Sequence, residues 1–477
     1  MRRPSLAWVS GRRWAFRGLL LIAAASAAAG CGAPSARHER PDIIFISLDT
    51  LRRDHVGLYG DGGASLTPAI DSLAAESVVF DDAWAQVPFT PASHMTMFTG
   101  LYADVHGVDR KTARLSEAIP TLPELLRGAG YQTVGLVTNL FMDGKFGFAR
   151  GFDHYERMPY GLVYADRVNH RAFELLDARG RDERPLFLFL HYIDPHSDFY
   201  NVAKNALPYY APPEFLADLG VPPDSREFCD QAGHCATEFL FAADRESRPL
   251  DAATVDRIAA LYGCGVTYLD REIGALAAGL RQRSLWRDSL VLITSDHGEE
   301  FREHGRFLHL QPYVENLALP LLIKLPGAER AGARISATVE TVDYLPTLLD
   351  VAGAVRPSHV QGASLMPLLR GGPQPERRAL GRDKGNRQRF ALRRGRWTLV
   401  HHLDSGHTEL YDRLEDPGER RNIADQQPKQ VEALRAALLE IVAANRALTA
   451  ALAAAPVTAD VLSDDDNEKL RAIGYVE

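Results

Sequence analysis

PDIIFISLDT, residues 41–50, is an unbroken apolar and β-branched run that stops at an acid, Asp49. A strand wet on one face alternates apolar with polar residues. A strand apolar at nearly every position belongs inside a sheet covered on both faces. Four more runs share this character: QTVGLVT (132–138), PLFLFLHYI (185–193), SLVLITS (289–295) and LPLLIKL (319–325). Helical periodicity fills the intervals, in TPAIDSLAAES (67–77), TLPELLRGAG (121–130), YADRVNHRAFELLDARG (164–180) and DAATVDRIAALYGCGVTYLDREIGALAAGLRQ (251–282). Thr67 before Pro68 reads as an N-cap, and Gly128 or Gly130 as a helix end. Strands alternating with helices predict an α/β fold: a doubly wound, mostly parallel sheet with its sites at the carboxyl ends of the strands.

The chain has 477 residues, 46% hydrophobic and 24% charged, with a net charge of −8. That is material for a large core and gives no sign of a nucleic-acid partner. The densest basic run, GRDKGNRQRFALRRGRW (381–397), reads as a solvated edge. The pattern changes near residue 370. RFALRRGRWTLVHHL (389–403) and TELYDR (408–413) alternate like antiparallel strands, and PKQVEALRAALLEIVAANRALTAALAAA (428–455) is helical. We therefore expect a main domain over 41–370 and a small α+β subdomain over 371–477.

Arg2, Arg3, Arg12, Arg13 and Arg17 precede a short apolar run that ends at Cys31. Residues 1–31 read as an export signal, with 32–40 as a linker. AAGC (28–31) resembles a bacterial lipoprotein cleavage box with Ala28 in place of the usual Leu. It implies an envelope protein anchored to a membrane through Cys31, on the periplasmic or extracellular side. In an oxidising compartment Cys229 and Cys235 would form a disulfide. A zinc site using His234 is the alternative, and Cys264 is left over.

Chemistry gathers where strands end. Asp49 follows the first, Asp296 and His297 follow another (LITSDHGEE), and His191, Asp194 and His196 lie in FLHYIDPH. Oxygen and imidazole donors converging on one sheet edge predict a divalent-metal site.

PDIIFISLDTLRRDHVGLYG, HMTMFTGLYADVHGV, LITSDHGEEFREHG and HTELYDRLEDPGERRNIAD resemble, in order, the motifs of the sulfatase family within the alkaline-phosphatase superfamily. The closing LSDDDNEKLRAIGYVE is similar to the tail of many bacterial sulfatase-like proteins. Sulfatases carry C-x-P-S-R-A-S-L-L-T-G, or Ser for Cys, and oxidise that first residue to formylglycine. Counting back from Thr99-Gly100 places Thr90 there, with His94 at the Arg position. A threonine resembles instead the phosphodiesterases, phosphoglycerol transferases and phosphonate hydrolases of the superfamily, whose Thr hydroxyl is the nucleophile. Thr90 is equally suited to cap the helix beginning PASHMTMF, a role compatible with catalysis.

The resemblance implies a metal held by Asp49, Thr90, Asp296 and His297. The family's Asp-Asp is here Asp49-Thr50, and its Asp-Asn is Asp296-His297. The imidazole favours Mn²⁺ or Zn²⁺ over Ca²⁺. The Lys-x-His pair that grips sulfate is missing, and His309 stands where many relatives have a lysine. His309 would donate to the leaving oxygen or bind a second metal, and His196 would contact the substrate or that metal. Asn139, His94 and His191 are candidate substrate contacts, with a structural strand-end Asn as the other reading of Asn139. His106 and His304 match family histidines, or serve only as loop residues. A lid over about 197–250, rich in Tyr and Phe, would choose the substrate: an anionic ester, with a glycan or lipid headgroup as the bearer. The first reading is a Thr-nucleophile hydrolase or transferase of phosphodiester, phosphonate or phosphoglycerol-type esters. The others are an arylsulfatase-like sulfuric ester hydrolase and an inactive relative that binds anionic glycans or lipids.

Overall fold

The computed structural model describes residues 40–458, apart from most of 198–234 and from 61–63, 112, 160–163, 181, 386–387 and 453–456. The export segment with Cys31, much of the first part of the lid, His234 and the acidic tail lie outside the described residues. The strands used below are β1 Ile43–Leu48, β2 Val78–Trp84, β3 Gln132–Val137, β4 His154–Arg157, β5 Leu186–Tyr192, β6 Leu290–Thr294 and β7 Ala318–Lys324. After them come β8 Arg334–Ile335 and β9 Val339–Glu340, followed by β10 Arg378–Arg382, β11 Arg389–Arg394, β12 Trp397–His402 and β13 Thr408–Asp412. The helices used below are α1 Pro68–Leu73, α2 Thr90–Thr99, α3 Leu122–Gly128, α4 Ala165–Ala178, α5 Ala252–Gln282, α6 Tyr344–Ala352 and α7 Pro428–Ala451.

Nine strands among the described residues form the main sheet, in the order β8-β2-β7-β6-β1-β5-β3-β4, with β9 also on β2. β1 pairs in parallel with β5 and β6, and β3 with β4 and β5. Successive residues of β1 feed opposite cores, as the unbroken apolar run requires. Ile43 and Phe45 pack with Met95, Met97 and Phe98 of α2 and with α6. Ile44, Ile46 and Leu48 pack with residues of α4 and α5 on the other face. The doubly wound sheet is as expected.

Three local expectations are corrected. LPLLIKL is not a parallel strand: β7 runs antiparallel to both β6 and β2. A parallel neighbour needs a crossover, usually a helix, to carry the chain back. Residues 295–317 contain only a two-residue strand pair and one helical turn, so the chain re-enters the sheet where it left it. Thr67 makes no capping bond. Its Oγ1 accepts from Gly57 N and donates to Asp71 Oδ1, while Asp270 of α5 takes the N–H groups of Ala69 and Ile70. The basic run 381–397 is not a solvated edge either, for it supplies β10 and β11 of a second, antiparallel sheet ordered β10-β11-β12-β13.

That sheet carries α7 on its own small core of Leu392, Leu399, Leu410, Leu434 and Leu438. Charged side chains fasten it to the main sheet. Arg393 Nε lies 2.9 Å from Asp82 of β2, and Arg382 Nη2 lies 2.9 Å from Asp109. The described residues all belong to one compact unit. Cys229 and Cys235 are joined as a disulfide, as expected, and Cys264 takes no part in it.

Candidate active site

β1 and β6 are neighbours running the same way, so the residues just past their ends meet. Asp49 follows β1, Asp296 and His297 follow β6, and one donor atom from each lies within 4.8 Å of the others. All three side chains are fully buried. α2 starts against this edge and delivers Thr90. The Thr90 hydroxyl does not cap its own helix; Oγ1 lies 3.4 Å from Asp49 Oδ2 and 3.4 Å from His297 Nε2. Ser93, one turn along, donates to the Asp296 carbonyl at 2.8 Å and pins helix to loop.

The surroundings set each donor. His297 Nδ1–H donates to the Gly298 carbonyl at 3.0 Å, which leaves the Nε2 lone pair facing the cluster. Burial lowers the His297 pKa to about 4, so its imidazole is neutral. Asp49 Oδ2 accepts from His191 Nε2 (3.1 Å) and Asn139 Nδ2 (3.2 Å). Burial opposes ionisation of Asp49, but the His191 bond and the nearby imidazoles win, and its carboxyl sits well below the usual range. Asp296 Oδ1 accepts from the N–H groups of Thr50 (3.1 Å) and His297 (2.9 Å). Burial and the charge of Asp49 push its pKa well above normal.

Asp49 Oδ1 and Asp296 Oδ2 are buried without a hydrogen-bond partner. Two carboxylates this close, each with an oxygen left over, repel one another when both are ionised, and a divalent cation held by them and the neutral imidazole would offset that repulsion. The donor set fits a divalent metal.

The sulfatase family model matches residues 41–354. This chain belongs to the sulfatase family. A second family model, described as N-sulphoglucosamine sulphohydrolase, C-terminal, matches residues 302–446. The Delta 4,5-hexuronate-2-O-sulfatase of Bacteroides thetaiotaomicron is 26% identical, over 86% of this chain and 90% of its own length. A multifunctional alkaline phosphatase superfamily protein of Trinickia caryophylli is also 26% identical, over 69% of this chain and 77% of its own. Among solved structures, the phosphonate monoester hydrolase of Silicibacter pomeroyi superposes with a TM-score of 0.67 at 23% identity, covering 85% of this chain and 96% of that one. The chain is a sulfatase-family hydrolase, and the family generally uses a divalent metal.

Within this sulfatase-family site, the remaining candidates separate into supports and wall. His94 is fully buried; its Nδ1–H donates to the Thr90 carbonyl and Nε2 accepts from Ser47 Oγ, each at 2.8 Å. Burial lowers its pKa to about 3. His191 accepts from Thr138 N at Nδ1 and gives Nε2–H to Asp49. Asn139 Oδ1 accepts from Phe141 N while Nδ2 holds Asp49. The structure thus sets all three, expected as substrate contacts, as props of Thr90 and Asp49. Asp194 turns away: Oδ1 accepts from Ala165 N at the start of α4. His106 is held by Thr96 and Val108, and His304 by Glu315 and Glu419. His106 closes the short helix Ala103–His106, and His304 lies in a turn.

His196 and His309 are buried beside the cluster, with ring centroids 5.1 Å apart and His309 4.5 Å from His297. His309 Nδ1 lies 3.3 Å from Glu299 Oε2, and burial with the charge of Lys384 pushes its pKa well below normal. Lys384 was missed. Its backbone N–H donates to Leu310, and its Nζ stands 4.7 Å from the ring centroid of Phe89, next to Thr90. The signal was the basic run 381–397, but a lysine some 87 positions past His297 has no spacing that ties it to the metal pair.

Proposed function

We propose that this chain is a metal-dependent hydrolase or transferase in which Thr90 attacks phosphorus, acting on phosphodiester, phosphonate or phosphoglycerol-type esters. The observation that carries this reading is the Thr90 hydroxyl, turned from its helix toward Asp49 and His297 at 3.4 Å. The likeness to a phosphonate monoester hydrolase and to a multifunctional superfamily relative supports it. Asp49, Asp296 and His297 would hold the cation, and the imidazole suits Mn²⁺ or Zn²⁺ better than Ca²⁺. When bound, that cation supplies positive charge that favours the ionised hydroxyl. Thr90 loses its proton to solvent and forms an Oγ1–P bond as the bond to the leaving oxygen breaks. Water, or an acceptor hydroxyl, then cleaves phospho-Thr90. His309, neutral and donating to Glu299, orients rather than protonates, and Lys384 supplies the charge on which the leaving oxygen settles.

A second reading, sulfate-ester hydrolysis, is favoured by the family match and by the 2-O-sulfatase relative. Wild type, Thr90→Ala and Thr90→Ser are to be assayed on aryl phosphodiester, aryl phosphonate monoester and aryl sulfate, with Mn²⁺, Zn²⁺ or Ca²⁺. We expect phosphoryl turnover with Mn²⁺ or Zn²⁺, lost at least about 10³-fold in Thr90→Ala and partly kept in Thr90→Ser. Sulfate turnover that survives Thr90→Ala would sink the proposal. No turnover with any ester would favour an inactive glycan- or lipid-binding relative.

We further propose a lipid anchor at Cys31 on the outer side of a membrane, supported by the AAGC box. Metabolic labelling with an alkyne fatty acid should mark the wild type and not Cys31→Ser. Label retained in the variant would refute it.

A further inference from the structure

A second group of ligating side chains lies in the C-terminal sheet, apart from the catalytic cluster. β12 and β13 are joined by residues 403–407, a turn closed by His402 N–H to the His407 carbonyl and Gly406 N–H to the His402 carbonyl, both at 2.9 Å. Gly406 takes φ +73°, which a glycine accepts without strain. The turn brings His402, His407 and Glu409 to one side of the hairpin, with one donor atom from each within 4.8 Å of the others.

Glu409 is held in a way that leaves one oxygen available. Its Oε2 accepts from the hydroxyls of Tyr313 (3.0 Å) and Tyr411 (2.6 Å). Its Oε1 therefore points to the histidines, 3.2 Å from His407 Nε2 and 3.9 Å from His402 Nε2. Ligands of a four-coordinate ion with bonds of about 2.0–2.1 Å stand roughly 3.4 Å apart. The hairpin comes near these edges with no ion bound. A hydrogen bond between His407 and Glu409 would not complete the cluster, because His402 Nε2 is buried without a hydrogen-bond partner. Hydrogen bonds that fix a ligand from behind, as both tyrosines fix Glu409, are the usual support of a built metal site.

We propose that His402, His407 and Glu409 form a second metal site, for a borderline transition ion such as Zn²⁺, with the fourth position open to solvent. Its exposed member is His407, whose side chain is 56% accessible. The site stands on its own ligands and does not depend on the catalytic reading.

The test uses the untagged full chain carrying Asp49→Ala and Asp296→Ala, which removes both carboxylates of the catalytic cluster, after chelator treatment. Zinc is counted by equilibrium dialysis with elemental analysis, and Co²⁺ is read by its visible absorption. We expect one equivalent of tightly held zinc and a tetrahedral Co²⁺ spectrum, both lost on adding His407→Ala or Glu409→Gln. Unchanged far-ultraviolet circular dichroism shows that each variant is folded. No zinc in that background chain, or one equivalent that persists with His407→Ala, would overturn the proposal.

Discussion

A methyl group on Gly298 would lie 1.9 Å from the Glu315 carbonyl oxygen, with no flexible neighbour to yield. That crowding matters because the Gly298 carbonyl fixes the tautomer of His297. Gly298→Ala should therefore lower metal affinity about 10–100-fold, the usual cost of disturbing a ligand's support. Isothermal titration with Mn²⁺ reads it, and unchanged affinity would show that the carbonyl does not orient His297. Thr50 shows a related demand at the neighbouring loop. It holds φ +56°, rare for a β-branched residue, with its carbonyl accepting from Tyr262 at 2.7 Å and its N–H given to Asp296. The residues that fill the cluster could be read from the sequence because each closes an apolar strand. Lys384 could not, since only folding of a distant sheet brings it beside Phe89.

At the scale of elements, α1 is a test of support borrowed from a neighbour. A six-residue helix has little stability of its own, and its cap is missing. Asp270, on α5, accepts from two of its first N–H groups at 2.9 and 2.7 Å. Asp270→Ala should lower the stability of the fold by roughly 1–2 kcal/mol, the value of a good cap. The urea midpoint measures it, with turnover of the folded enzyme unchanged. A midpoint equal to wild type would mean that α1 is held by packing alone. The same contrast marks the limit of sequence reading. β1, β3, β5 and β6 announce themselves by composition. β2 does not, because Asp81 and Asp82 interrupt VVFDDAW (78–84), and only β8 and the second sheet, through Arg334 and Arg393, explain acids in a buried strand. The direction of β7 was equally hidden, being decided by the absence of a crossover helix rather than by the strand's own residues.

For the molecule as a whole, the seam between the site loops and the C-terminal sheet is titratable. Burial raises the carboxyl pKa of Glu300 and of Glu419 to about 7 in each case. His304 lies between Glu315 and Glu419; burial works against its charge, but Glu315 at 2.7 Å and the Glu419 carbonyl raise its pKa to about 8. A carboxyl whose pKa is raised on folding stabilises most below its unfolded value near 4.5, and loses that contribution as pH rises through 7. A histidine raised from 6.5 stabilises fully below that value and loses its contribution as pH passes 8. Both signs agree, so stability of the metal-loaded protein should fall between pH 6 and 8.5, by on the order of 1 kcal/mol for each group. Urea denaturation across this range would show the midpoint decline, and His304→Gln and Glu419→Gln should each flatten it. A midpoint that rises with pH, or variants that keep the wild-type slope, would mean that this seam does not govern the pH response. Protonated His304 donates from Nδ1 to Glu315, beside Gly298, and from Nε2 to the Glu419 carbonyl, so its charge ties the catalytic loops to the C-terminal segment.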